Sequence, residues 1–165
     1  MQTKNETSIT AETGRLDVVI TREFEAPREL VFKAFIDAEL LSQWLGPKKH
    51  VMEVDIFEPR SGGAYRYIHI SPNGYRYGFH GVFHEITAPE RIIQTFEYEG
   101  LPEKGHVSLG TATLEALPSN RTRLTLQSVF QSVEDRDGMM KSGMEMGVRE
   151  GHERLDEMLE KGAVK

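Results

Sequence analysis

Residues 64–83 read AYRYIHISPNGYRYGFHGVF, and this stretch decides the fold. Two alternating runs flank Ser71-Pro72-Asn73-Gly74. Proline presets φ at the second turn position and glycine takes the left-handed one, so the chain reverses here. A three-residue loop of this kind carries a G1 bulge. It pairs Ser71 with Tyr75, and therefore Tyr67 with Phe79. Tyr65, Tyr67, His69, Tyr75, Tyr77, Phe79 and Phe83 then share one face of an antiparallel sheet. A slip of one residue would send half of them to the other face.

Strand patterns continue on both sides. Before the hairpin, Leu16, Val18, Ile20 and Phe24 alternate as in a half-buried strand. Pro27 then opens a helix with Leu30, Val31, Ala34 and Phe35 on one face. Asp37 caps a second short helix carrying Leu40, Leu41 and Trp44, and Gly46-Pro47 stops it. Val51 to Phe57 is a strand. After the hairpin come strands over Arg91 to Tyr98, Val107 to Leu117 and Arg121 to Phe130, the last two joined through Pro118-Ser119-Asn120. Ser132, with Asp135 three residues on, caps a long final helix that runs to Lys161-Gly162. Its apolar stripe is Met140, Met144, Val148, Leu155 and Leu159. Six to seven strands bracketed by helices predict an α+β domain, a curved antiparallel sheet around a long C-terminal helix. One domain is expected over residues 15–162, after a polar tail, disordered or loosely docked, over residues 1–14.

The 165 residues are 38% hydrophobic and 28% charged, with net charge −6. An acidic chain is a poor partner for nucleic acid, which needs a basic face. The one basic knot, Lys48-Lys49-His50, reads as a solvated loop. Cysteine is absent, so thiolate chemistry and iron–sulfur ligation are excluded. The polar start has no apolar signal-like core, and no run reaches the length of a membrane span. A cytoplasmic location is the default expectation. Nucleophile elbow, phosphate loop and dinucleotide fingerprint are all missing, so no cofactor is expected.

Several segments carry a family likeness. Residues Ile20 to Phe32 (ITREFEAPRELVF) and Leu40 to Pro47 (LLSQWLGP) resemble the opening of activator-of-heat-shock-ATPase-like domains. Gly62-Gly63-Ala64-Tyr65, Pro72-Asn73-Gly74, Gly81 to Ile86 and Pro89-Glu90-Arg91-Ile92 follow in the family's order. Gly143 to Gly147 and Gly151 to Leu159 resemble its last helix. The likeness covers residues 15 to 162 and implies the START-like helix-grip fold. It also implies a range of functions: lipid and polyketide binding, aromatase/cyclase chemistry, resistance by sacrifice of the protein's own backbone to a bound antibiotic, and co-chaperone action. Fold likeness does not choose among them.

The residues narrow the field. Gly143, Gly147 and Gly151 recur along one side of the last helix, each costing about 1 kcal/mol against alanine. Either the helix approaches the sheet closely, or missing side chains leave room for a ligand. Methionines cluster here, and methionine suits adaptable apolar surfaces as well as ordinary core. A cavity between sheet and helix would be walled by Tyr65, Tyr67, His69, Tyr77, Phe79 and Phe96, and by Met140, Met144, Gly147, Val148 and Gly151. Trp44 would sit at its mouth, or anchor the short helices to the core. Tyr65, Tyr67, His69, Tyr77 and Arg22 are its candidate polar groups. His80 and His84 share the solvated face about 13 Å apart, too far to share a metal, so no metal site is expected. His152-Glu153 is read as rim or surface, and Glu85 with Arg91 as a structural pair across the Pro89 turn.

Three readings follow. The first is binding of a small apolar or aromatic molecule without chemistry. The second is a cyclase- or dehydratase-like enzyme using Tyr65, Tyr67, His69 or Arg22 as proton donors. The third is a chaperone ATPase as protein partner. An exposed sheet edge would also permit a homodimer.

Overall fold

The computed structural model describes residues 5–165. Strands β1 (Ser8–Thr10) and β2 (Asp17–Phe24) lead into helices α1 (Arg28–Ile36) and α2 (Ala38–Trp44). Six strands follow: β3 (Val51–Phe57), β4 (Ala64–Ile70), β5 (Arg76–Thr87), β6 (Arg91–Tyr98), β7 (Val107–Leu117) and β8 (Arg121–Val129). Helices α3 (Val133–Lys141) and α4 (Met144–Glu160) end the chain. The strands form one eight-stranded sheet in the order β1-β2-β8-β7-β6-β5-β4-β3, antiparallel throughout. This is the expected α+β helix grip.

The central hairpin has the expected register. Ser71 N–H donates to the Tyr75 carbonyl at 2.9 Å, and Tyr67 pairs with Phe79. Register shifts between Val54 and Ile56 in β3 and between Phe83 and Glu85 in β5 bend the sheet, because an extra residue on one strand locally increases twist. The caps hold too: Asp37 accepts from Leu40 N–H at 3.1 Å, and Ser132 from Asp135 N–H at 3.0 Å.

Two expectations need correction. The polar tail is not loose from residue 7 on. β1 pairs with β2, Ile9 opposite Ile20, and Thr7 is buried. Arg136, itself buried, donates to the carbonyls of Glu12 at 2.8 Å and Asp17 at 3.1 Å. The segment is held by hydrogen bonds to distant charged side chains, which its own composition does not reveal. Nor is the last helix continuous. Gly143 has φ +87°, a left-handed conformation that only glycine adopts without cost. The break divides α3 from α4, and Gly143 therefore serves the break rather than a helix face. The chain also remains packed past Gly162, where Val164 joins the core.

The core lies between the concave face and the helices. Phe24, Val31, Phe32, Leu114, Leu124 and Leu155 are essentially inaccessible. Each such side chain contributes roughly 1.5–3 kcal/mol through burial. A second cluster joins Val18, Ile20 and Phe130 to Met139, Met140, Met144 and Val148. Leu126 packs against both clusters.

Candidate ligand-binding site

Alternation along β4, β5 and β6 puts the rings on the concave face, and pairing brings them together. Tyr67 stacks on Phe79 at 5.4 Å and Phe79 on Phe96 at 5.2 Å. Tyr98 adds a ring 5.3 Å from Phe79, and Tyr77 lies 6.4 Å from Tyr98. Burial divides this run. Tyr65, Tyr67, His69 and Phe83 are buried. Tyr77, Phe79, Phe96 and Tyr98 stay partly exposed, as do Met140, Met144 and Val148 on the helices. Tyr75, at the turn, points to solvent.

Between these groups the sheet floor carries small side chains. Ser108 and Ala112 are buried, and Gly110 pairs with Gln94 and Ser128. A β-carbon at Gly110 would come no nearer than 3.7 Å to any atom, and its nearest neighbours all belong to the sheet. Two small hollows of about 150 and 290 Å³ lie mostly elsewhere, with Tyr98 lining the first. They surround the network on the other face in which Glu99 accepts from Arg66 at 2.8 Å and contacts His80 Nδ1 at 2.8 Å. Hydrogen bonding to Arg66, with a smaller contribution from His80, holds the Glu99 carboxyl down at about 2.

Several predicted site residues have other duties. Trp44 is 2% exposed, donates from Nε1 to the Ala34 carbonyl at 3.0 Å and meets Phe35 edge-on at 4.8 Å. It anchors α2 in the core and is not at a mouth, because its indole N–H needs a buried acceptor. Gly151 and Gly147 let α4 approach the loop after α2. A β-carbon on Gly151 would lie 2.9 Å from the Trp44 carbonyl oxygen, and one on Gly147 would lie 3.4 Å from the Pro47 ring. Of the two explanations for these glycines, close approach is the one the structure supports, to this loop rather than to the sheet. Tyr65 donates to the Thr95 carbonyl at 2.5 Å, and burial pushes its phenol up to about 12.

Arg22 is likewise committed. It pairs with Asp156 at 2.5 Å, reaches Thr7 Oγ1 at 3.3 Å and lies over the Phe24 ring at 5.1 Å. Burial raises the Asp156 carboxyl despite that partner. The candidate proton donors therefore do not converge as a set: Arg22 and Tyr65 are occupied by the protein itself. Tyr67 and His69 remain together, rings 5.2 Å apart.

The histidines divide in an unexpected way. His80 and His84 lie on the outer face as expected, and Glu85 pairs with Arg91 at 2.6 Å. His152, expected at the rim, is 5% exposed. Its Nδ1 is 2.8 Å from Thr7 Oγ1, and its ring meets Phe24 edge-on at 5.6 Å. Burial, with Arg22 and Arg149 nearby, lowers its pKa to about 3. His50, read as part of a solvated loop, stacks on Tyr77 at 5.9 Å and 11°. The partner of each lies far off in sequence, so no local pattern marks them. Tyr98 continues the alternation of Phe96, which local pattern does mark. Among the described residues no group of three or more metal-ligating side chains gathers, and no helix is long and apolar enough to cross a membrane.

Comparison with known proteins agrees with this architecture. A protein from Rhodobacter sphaeroides is 27% identical and superposes with a TM-score of 0.84, covering 94% of this chain and 99% of its own. One from Arthrobacter aurescens is 30% identical with the same TM-score of 0.84, covering 93% of this chain and 91% of its own. The AHSA1 protein from Silicibacter pomeroyi shares the fold at 21% identity and a TM-score of 0.74, covering 88% of this chain and 99% of its own. No protein of curated function matches. The sequence profile described as "Activator of Hsp90 ATPase homolog 1-like protein" matches residues 25–160, and the chain belongs to that family.

Proposed function

We propose that the protein binds a small apolar or aromatic molecule on the concave face of its sheet, beneath α3 and the first turns of α4. The family and the helix-grip fold are consistent with a hydrophobic ligand-binding domain. The observation that carries the reading is the partly exposed aromatic run Tyr77, Phe79, Phe96 and Tyr98, whose rings touch one another at 5.2–6.4 Å. Rings in mutual contact and only partly covered give an apolar surface suited to a small ligand. The small floor at Ser108, Gly110 and Ala112 and the adaptable methionines Met140 and Met144 suit a ligand of modest size.

Native mass spectrometry of the purified chain, before and after denaturing extraction, tests the reading. A bound mass that leaves on denaturation is expected, and F96A should lose it. A ligand retained by F96A, Y77A and F79A alike would place the site elsewhere.

A further inference from the structure

Three buried side-chain nitrogens among the described residues lack a hydrogen-bond partner: His50 Nδ1, His69 Nδ1 and Arg154 Nε. Such an atom costs roughly 1–3 kcal/mol, so each requires an explanation, a bound group being one. Arg154 has a structural duty through another of its atoms, while Nε stays unpaired. Its Nη2 donates to the carbonyls of Trp44 at 3.0 Å and Gly46 at 2.8 Å, fixing the loop after α2 to α4. The histidines have no such duty.

They also sit together. Their ring centroids are 6.2 Å apart. His50 is stacked on Tyr77, and His69 meets Tyr67 at 5.2 Å and Phe79 at 5.6 Å. The pair therefore lies at the β4 end of the aromatic run. The His69 ring packs against the loop after α2: its Cε1, Nε2 and Nδ1 lie 2.5, 2.8 and 3.1 Å from where a β-carbon of Gly46 would stand, and Gly46 has φ +90°. His69 is 6% exposed, and burial, helped by His50 and Arg154, lowers its pKa to about 4. A neutral imidazole offers one N–H and one lone pair.

We propose that His50 and His69 form the polar end of the ligand face and bind the hydroxyl of an uncharged phenolic ligand, whose ring stacks among Tyr77, Phe79 and Phe96. The proposal rests on the concave face being the ligand site. A hydroxyl both donates and accepts, so it can partner an unpaired imidazole nitrogen in either role. A hydrocarbon would leave both nitrogens unpaired. A carboxylate would want a cation, and the Arg154 guanidinium already meets backbone carbonyls through Nη2, leaving only Nε unpaired.

The test is a titration of the full chain, near neutral pH, with 2-naphthol, naphthalene and 2-naphthoate. Wild type, H69F and H50F are compared, and circular dichroism checks their folding. Partition out of water favours naphthalene, so a preference for naphthol reports a hydrogen bond. Wild type should prefer 2-naphthol by roughly 10-fold, the equivalent of one good hydrogen bond. H69F, or H50F if H69F does not fold, should lose the preference while keeping naphthalene. Equal binding of naphthol and naphthalene, a preference kept in the folded variants, or tighter binding of naphthoate overturns the phenol assignment and leaves the apolar site standing. Failure of all three probes to bind overturns both.

Discussion

A neutral histidine buried against aromatic rings makes folding depend on pH in a definite direction. His152 and His69 have ordinary values near 6.5 and folded values lowered to about 3 and about 4, burial being the main cause for each. Below pH 6.5 the unfolded chain takes up protons that the folded chain refuses. Stability therefore falls as pH falls from that value toward the folded ones, by up to about 1.4 kcal/mol per pH unit per histidine. Denaturant melts at several pH values should show this loss between neutrality and about pH 5, and H152Q should reduce it by about 2 kcal/mol. An acid limb as steep in H152Q as in wild type would contradict the assignment. At this scale the sequence was only partly legible. Tyr67, Tyr77, Phe79 and Phe96 follow from alternation and one turn, but Trp44, Arg22 and His152 are placed by partners that no local pattern identifies.

The glycines decide how elements meet. Gly151 faces backbone: the Trp44 carbonyl oxygen would be 2.9 Å from an added β-carbon and Gly46 N 3.3 Å. Backbone there cannot yield easily, so G151A should cost about 1–3 kcal/mol, the range for overpacking. Gly147 would meet only the Pro47 ring, at 3.4 Å. G147A should therefore be neutral or gain up to about 1 kcal/mol from helix propensity. Urea denaturation of both variants separates close approach from vacant space, since spare room would make both substitutions harmless. The spacing of four showed the glycines, but their roles depend on a loop about 100 residues away.

A further contact at this scale joins the loop before β7 to α3. His106 Nδ1 lies 3.0 Å from Asp135, whose hydrogen bond and charge raise the histidine above its ordinary 6.5. A raised folded value means stability that is complete below pH 6.5 and lost as pH rises through the folded value. The gap in melting temperature between wild type and H106Q should be wider near pH 6 than near pH 8.5. A gap independent of pH would exclude the pair as a contributor.

For the whole molecule, the succession of elements along the chain and the central hairpin register were legible because alternation, turn chemistry and caps all agree. Strand β1 and the break at Gly143 were not. The first depends on hydrogen bonds from Arg136 and Arg149 to the N-terminal segment, and the second on a backbone conformation that glycine permits without announcing. The resulting architecture closes one end of the grip tightly. His152, Leu155 and Met158 are buried there, while Met140, Met144 and Val148 stay partly exposed over the other end.

That division predicts where a ligand acts, and methyl-labelled methionines report on it directly. In a titration with 2-naphthol followed by NMR, the methyl signals of Met140 and Met144 should shift and saturate together. Met158, in the closed end, should hold still. Shifts confined to Met158 or to the exposed Met146, or no saturable shift at any methionine, would contradict the concave face as the ligand site.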